Sequence, residues 1–208
     1  MKYSRQLFAG LIILTVLLST GCFRKRGSAP VDKSRLKGWG TVYLVPLGDF
    51  PDDLTGELVA FYRDKYQLNV QTLPNVPVSE AAMNSQRQQL IAEEAIDLMK
   101  QANPQLQQDP KAILIGLTNE DMYIQQKNWQ FSFSWREQGK YAVVGGRMEV
   151  RNGRRPVTEP LVEKRIRKMV TKNVGILYYR LPLSDNPRSV LYRDVGGISD
   201  LDYMGEDF

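Results

Sequence analysis

The 208-residue chain contains no histidine. Histidine is the usual general base near neutral pH, the usual partner of a Ser or Cys nucleophile, and the commonest protein ligand of metals. The composition therefore excludes a hydrolase that depends on histidine. Chemistry carried by carboxylates, and binding without catalysis, both stay open.

Cysteine is almost as scarce, because Cys22 is the only one in the chain. A single cysteine cannot form an intrachain disulfide. A domain exported without disulfides must be held together by its hydrophobic core.

The stretch at residues 7–18 is apolar and uncharged, and it follows Lys2 and Arg5. It is too short to cross a bilayer as a helix, which takes roughly 20 apolar residues. It does match the ~7–15 residue apolar core of a signal peptide. The run ends in Leu18-Ser19-Thr20-Gly21-Cys22 and resembles a bacterial lipoprotein signal, with Ser19 at a place where such signals usually carry Leu. The alternatives are a plain secretory signal and a membrane anchor with a chance cysteine.

This resemblance implies that Cys22 is lipidated and becomes the new N-terminus, so that the protein is exported and anchored to the cell envelope. Phe23 stands where an Asp would favour retention at the inner membrane, which favours the outer membrane if the organism has one. We therefore divide the chain into a signal peptide (residues 1–21), a lipid-attachment site with a linker (22–38) and one domain (39–208).

Charge is unevenly distributed between these parts. Eight of the 28 basic residues and one of the 23 acidic residues lie before residue 38, so the remaining body has 20 basic and 22 acidic residues. The pI of about 9.3 thus reflects the leader and linker, and a nucleic-acid partner is not expected. The basic linker either adds attraction to anionic lipid headgroups or serves as a flexible spacer.

The body has the size of one ordinary domain and shows no internal repeat. Apolar patterning predicts strands at 41–47, 68–73 and 112–117, and an edge hairpin from 131–136 and 141–150. It predicts helices beginning near Pro51, at 85–102, from Pro160 to a point before Pro182, and around 199–205, with a loop at 152–156. This order favours an α/β (α+β) fold with a twisted, mixed, mostly parallel sheet.

Several segments of this body resemble the archaemetzincins, a family of small zinc metallopeptidases. The similar segments are Gly116-Leu117-Thr118-Asn119-Glu120-Asp121-Met122-Tyr123, Phe131-Ser132-Phe133, Ala142-Val143-Val144, residues 88–94, residues 189–192 and residues 198–204. Together they span about residues 40 to 204. The resemblance implies a compact metzincin-like fold.

The resemblance fails at the zinc motif, where active members carry His-Glu-x-Gly-His-x-x-Gly-x-x-His. If Gly175 aligns with the first Gly of that motif, the two helical zinc ligands are replaced by Lys172 and Ile176, and the general base by Asn173. The third ligand falls near Pro182 or Leu183, and the Met of the following turn becomes Leu191. A protonated Lys, an Ile and an Asn cannot bind zinc or accept a proton. We therefore expect no zinc and no other cofactor.

Three other groups of residues could carry a function. The carboxylates Asp185, Asp194, Asp200 and Asp202 could form a site for a hard cation, although solvated or helix-capping acids are the simpler interpretation. The aromatic residues Trp129, Phe131, Phe133 and Trp135 could stack a ligand or simply pack. The basic residues Lys164, Arg165, Arg167 and Lys168, with Arg154 and Arg155, are most simply a solvated helix face.

The leading functional hypothesis is a lipid-anchored pseudo-metallopeptidase that binds a protein or peptide. Metzincins align an extended substrate along an edge strand, and this pairing needs backbone groups but no metal. The edge is expected at residues 141–150, with Ala142, Val143, Val144 and Gly145 along the groove. The alternatives are an active hydrolase with an unconventional site that lacks histidine, and a purely structural envelope lipoprotein. The sequence does not indicate an oligomeric state.

Overall fold

A computed structural model describes residues 36–146 and 159–208. The signal peptide, Cys22, most of the linker and the loop predicted at 152–156 lie outside the described residues. The strands are β1 (Thr41–Leu47), β2 (Val70–Thr72), β3 (Met83–Asn84), β4 (Gln89–Ile91), β5 (Ala112–Thr118), β6 (Met122–Tyr123), β7 (Ser134–Glu137) and β8 (Tyr141–Gly145). The helices are α1 (Asp52–Tyr66), α2 (Ala92–Ala102), α3 (Pro104–Gln107), α4 (Pro160–Leu177) and α5 (Ile198–Tyr203).

A five-stranded sheet in the order β2-β1-β5-β8-β7 forms the centre of the domain. The first four strands run parallel, and β7 pairs with β8 antiparallel. β5 lies in the middle and all seven of its residues are buried, as expected for an uninterrupted apolar run in a parallel sheet. A second, three-stranded sheet has the order β3-β4-β6. The mixed, mostly parallel α/β fold with an edge hairpin is thus confirmed.

The central sheet separates two hydrophobic cores, and alternate residues of its strands point into each. On β5, Ile113, Ile115 and Leu117 face a core shared with α1, α4 and α5. Ala112 and Leu114 face the other core, which contains α2. Gly116 keeps α2 close to the sheet, because a Cβ there would stand 2.7 Å from the Met99 sulfur.

The sequence accounts for where helix α4 begins and for which of its faces is buried. Pro160 occupies the first turn, where its missing N–H is harmless. Val162, Ile166, Met169 and Val170 recur at helical spacing and are buried against the sheet. The Tyr62 hydroxyl of α1 bonds the Thr171 hydroxyl at 2.8 Å, which ties α1 to α4 in the same core.

Two predictions about the fold are wrong. The second helix begins at Ala92 and not near Ser85, because residues 89–91 form β4 and Gln88 has a positive φ of 52° that a helix cannot accept. The strand that contains Ala142, Val143, Val144 and Gly145 does not lie at the sheet edge, because β5 and β7 pair with it on its two sides. The edge is β7, and those four residues are buried behind it.

Within residues 36–146 and 159–208, no helix is both long and apolar enough to span a membrane.

Candidate functional site

A pocket of about 700 Å³ opens beside the carboxyl-terminal half of α4. This volume falls in the range of ~300–1,000 Å³ usual for ligand sites. Three chain segments line it: residues 128–136, which lead into β7 and include most of it, Met169 and Lys172 of α4, and residues 193–196. The pocket therefore contains Lys172, the position that the resemblance assigns to the first zinc ligand.

Lys172 is an almost fully buried cation in this pocket, with 3% of its surface exposed. Its ammonium donates a hydrogen bond to the carbonyl oxygen of Tyr192. Burial, together with the neighbouring Arg136 guanidinium, lowers the Lys172 pKa to about 8, and Asp194 partly opposes this shift. At neutral pH Lys172 is still mostly protonated. It therefore places a positive charge at the pocket floor.

Asn173 is fully buried beside Lys172 and is held from three directions. Its amide oxygen accepts a hydrogen bond from Nη1 of Arg136 at 3.0 Å. Its amide nitrogen donates to the Ser134 hydroxyl and to the Met169 carbonyl, both at 2.9 Å. The residue at the predicted position of the general base therefore positions an arginine of β7, whose own pKa is lowered by burial.

Asn173 and the two other predicted positions, Ile176 and Leu191, lie outside the residues that line the pocket. Ile176 is half-buried and packs against the core that includes α1 and α5. Leu191 is buried, and its Cδ2 lies 2.7 Å from where a Cβ on Gly175 would stand. The turn that contains Leu191 thus packs closely against α4 at a glycine.

The four carboxylates of the C-terminal segment have separate positions and partners. Asp200 accepts hydrogen bonds from the backbone N–H groups of Gly196 and Gly197 at 3.0 Å, at the start of α5. Asp185 pairs with Arg193, and Asp202 pairs with Arg165. Asp194 lines the pocket. Throughout the described part of the chain, no three His, Cys, Asp or Glu side chains come together as a metal site would require.

The aromatic residues that precede and enter β7 line the pocket but do not share one face. Trp129 and Phe131 are 54% and 39% exposed. Phe133 packs into the core of α1 and α4, whereas Trp135 packs against the core of α2. The two exposed rings are therefore the ones available to a ligand.

The basic band of α4 is a solvated face only in part: Lys164 is exposed and Arg167 half-buried, and Arg154 and Arg155 lie outside the described residues. Arg165 and Lys168 are only 1% and 2% exposed, because α5 covers them. Arg165 donates two hydrogen bonds to the Asp202 carboxylate, at 2.6 and 2.7 Å. Lys168 donates to the carbonyls of Leu201 and Asp202 at 2.9 Å. These side chains attach α5 to α4.

Sequence reasoning missed Arg136 and Arg193 as residues of the site. Arg136 is separated from Asn173 by 37 positions, and only the packing of β7 on α4 brings them together. One feature of the sequence could have pointed to Arg136: it is a charged residue within an aromatic strand, next to a segment that carries the resemblance.

Zinc, which the resemblance implies, does not fit the residues present. The protonated Lys172 and the Ile176 side chain offer no lone pair. The Asn173 amide is already bonded to Arg136, Ser134 and Met169. No histidine exists anywhere in the chain to replace them.

Comparison with known proteins agrees with the fold. No family model matches the chain. Its sequence is 24% identical over 153 residues to an archaemetzincin of Haloquadratum walsbyi, covering 72% of this chain and 84% of that protein.

Crystal structures of archaemetzincins give the same result. The protein from Archaeoglobus fulgidus, complexed with malonate, is similar with a TM-score of 0.62 at 20% identity, over 81% of this chain and 94% of that one. The protein from Methanopyrus kandleri gives a TM-score of 0.60 at 18% identity, over 81% and 89%.

A zinc-dependent peptidase of Methanocorpusculum labreanum gives 0.62 at 16% identity, over 81% of this chain and 95% of that one. The resemblance proposed from short motifs is confirmed: the chain is similar in sequence to an archaemetzincin and has an archaemetzincin-like fold.

Proposed function

We propose that this protein is a lipid-anchored, non-catalytic archaemetzincin homologue that binds a protein or peptide in the pocket beside α4. The protein would work at the cell envelope without zinc or any other cofactor. Nucleic acid is not its partner.

One observation carries the non-catalytic part of this proposal. Lys172 and Asn173, at the positions assigned to the first zinc ligand and the general base, are both engaged in hydrogen bonds within the protein. An ammonium repels a metal cation, and an amide cannot take a proton from water. Since the zinc ligand and the general base are both missing, at adjacent residues, restoring one of them would not restore catalysis.

Peptide binding is supported by the position of β7 at the sheet edge, which corrects the predicted groove. The N–H of Gly145 donates to the carbonyl of Phe133 at 3.1 Å. In an antiparallel pair, every second residue of a strand directs its N–H and C=O groups to the partner strand. Because Phe133 is bonded to β8, Ser134 and Arg136 direct their backbone groups away from β8. No strand of the described residues pairs with β7 on that side. An extended peptide could add there as a further strand and place its side chains in the pocket.

The test uses the full-length chain in detergent micelles and a library of defined peptides. We expect saturable binding, reported by tryptophan fluorescence, with no cleavage by mass spectrometry and substoichiometric zinc by elemental analysis after metal loading. Stoichiometric zinc with cleavage that a chelator abolishes would instead establish an active peptidase.

Two exposed tryptophans provide a matched pair of variants. Trp129 lines the pocket and is 54% exposed, whereas Trp39 is 49% exposed and does not line it. Trp129→Ala should weaken peptide binding, and Trp39→Ala should leave it unchanged. Equal effects of the two substitutions would place the binding surface elsewhere.

The anchor is a separate part of the proposal and rests on the sequence around Cys22. We propose that Cys22 is acylated after removal of residues 1–21 and that the basic linker supports membrane attachment. Mass spectrometry of the mature N-terminus should find a diacylated or triacylated cysteine. A mature N-terminus at another residue, without lipid, would refute this part while leaving the pocket proposal intact.

A further inference from the structure

We infer that the pocket binds a carboxylate group of its peptide ligand between the Lys172 ammonium and the Arg136 guanidinium. This inference rests on the proposed peptide-binding function and specifies which chemical group the site recognises. In this arrangement Lys172 stands at the position that the resemblance assigns to the first zinc ligand, and Arg136 is hydrogen-bonded to Asn173, at the position assigned to the general base.

Both cations have donors to spare. An ammonium has three N–H donors and a guanidinium has five. Among the described residues Lys172 donates to one partner, the Tyr192 carbonyl, and Arg136 to one partner, the Asn173 amide oxygen. Because Asn173 is itself held by Ser134 and Met169, the guanidinium is oriented before any ligand arrives.

The charge of the pocket is not balanced by the protein. Neither Lys172 nor Arg136 pairs with a carboxylate in the part of the chain that the structure describes, and Arg193 is paired with Asp185. Asp194 lines the pocket and is exposed, but it forms no ion pair with either cation. Lys172 is buried and Arg136 is half-buried beside it. Two like charges that are close together and partly removed from water are unfavourable, and an incoming anion relieves this cost.

Arginine matches the planar, two-oxygen geometry of a carboxylate, which favours this anion in a peptide ligand. The exposed Trp129 and Phe131 rings at the pocket provide an apolar surface for a neighbouring side chain. The carboxylate could be the peptide C-terminus or the side chain of an internal Asp or Glu. Both sources present the same group, and the experiment separates them.

The experiment titrates the full-length chain in detergent micelles with four probes, using calorimetry. These probes are sodium malonate, a tripeptide library with free C-terminal carboxylates, the same library as C-terminal amides, and amides that carry an internal Glu. We expect free acids to bind about tenfold or more tighter than the plain amides, the usual value of a charge-assisted hydrogen bond. Tight binding of the Glu-containing amides alone would assign the carboxylate to a side chain.

Lys168→Met is the matched control for Lys172→Met. Both lysines lie on α4, both are buried and both donate to backbone carbonyls, but only Lys172 lines the pocket. Lys172→Met should reduce the affinity for malonate and for the acid peptides about tenfold or more, whereas Lys168→Met should leave both unchanged. Asp194→Asn should raise the affinity, because it removes the competing negative charge.

The results distinguish failure of this inference from failure of the proposed function. If acids and amides bind equally well, the carboxylate inference is wrong but peptide binding stands. If no peptide binds, both are wrong. If malonate binds equally to the wild type and to Lys172→Met, the assignment to Lys172 is wrong. Thermal melting of each variant verifies that it is folded.

Discussion

The two halves of α4 bury the same kind of side chain and use it differently. In the first half, Arg165 and Lys168 reach α5, where the Asp202 carboxylate and two backbone carbonyls accept their hydrogen bonds. In the second half, Lys172 has a single carbonyl partner and faces a pocket together with Arg136. A buried cation that the protein itself neutralises holds the fold together, whereas one with spare donors at a pocket is available to a ligand.

Removing the carboxylate of Asp202 should give the largest effect, because the first half of α4 depends on it. Asp202→Ala deletes both hydrogen bonds from Arg165, whose side chain is 1% exposed. We expect a loss of about 3 kcal/mol in the free energy of unfolding, less than for a fully buried pair because Asp202 is partly exposed. Urea denaturation followed by circular dichroism measures this loss.

The exposed pair of Asp185 with Arg193 is the control for this prediction. Their side chains are 84% and 53% exposed, so Asp185→Ala should cost under about 1 kcal/mol. Equal losses for the two variants would show that the Asp202 carboxylate does not hold α5 in place. The contrast between the two halves of α4 would then be wrong.

The attachment of Asp202 should also depend on pH. The hydrogen bonds from Arg165 lower the pKa of Asp202. Since its folded-state pKa lies below the unfolded value, its contribution to stability is present above about pH 4 and is lost as the pH falls through the folded-state pKa. The stability difference between wild type and Asp202→Ala should therefore shrink in acid.

The second half of α4 is held by close apolar packing, and Gly175 tests this. A Cβ at Gly175 would stand 2.6 Å from the Phe208 ring and 2.7 Å from Leu191, whereas one at Gly56 of α1 would meet nothing within 4 Å. Gly175→Val should cost about 2 kcal/mol through overpacking. Gly56→Ala should instead stabilise by up to about 1 kcal/mol through helix propensity. A neutral Gly175→Val would mean that Leu191 and Phe208 do not restrain the helix.

The elements with uniform patterns could be predicted from the sequence. β5 is an uninterrupted apolar run, and α4 has apolar residues at helical spacing after Pro160, so each is determined by local sequence. The start of α2 could not be predicted, because β4 depends on distant partners. Gln89, for example, donates to the Asp121 carboxylate and the Gln130 carbonyl at 2.8 and 2.9 Å.

The candidate site could be predicted in part for the same reason. Lys172 and Asn173 were identified by resemblance to a motif on one helix, which is local. Arg136 lies on another element, and no local pattern links it to α4. The predicted edge at β8 is wrong because β8 pairs with β5, which lies far away in the sequence, as well as with β7. The polar SWRE sequence of β7, beside the apolar YAVVG of β8, is the local sign of an edge strand.

The charge of Lys172 should itself make the stability depend on pH. Its folded-state pKa of about 8 lies below the ordinary value of 10.5, because burial and the nearby Arg136 lower it more than Asp194 raises it. The unfolded chain therefore binds the proton more tightly than the folded one between these two values, and stability rises with pH across that window.

Lys172→Met isolates this dependence, because groups common to both proteins cancel in the difference. The free energy of unfolding of the wild type minus that of Lys172→Met should rise by about 1–2 kcal/mol from pH 8 to pH 10. This is less than the full pKa difference would give, because solvent in the pocket screens part of the charge. Urea denaturation at several pH values measures the difference. A difference that does not change with pH would mean that the charge of Lys172 costs no stability. Saturating malonate should also remove the pH dependence if the bound anion neutralises Lys172.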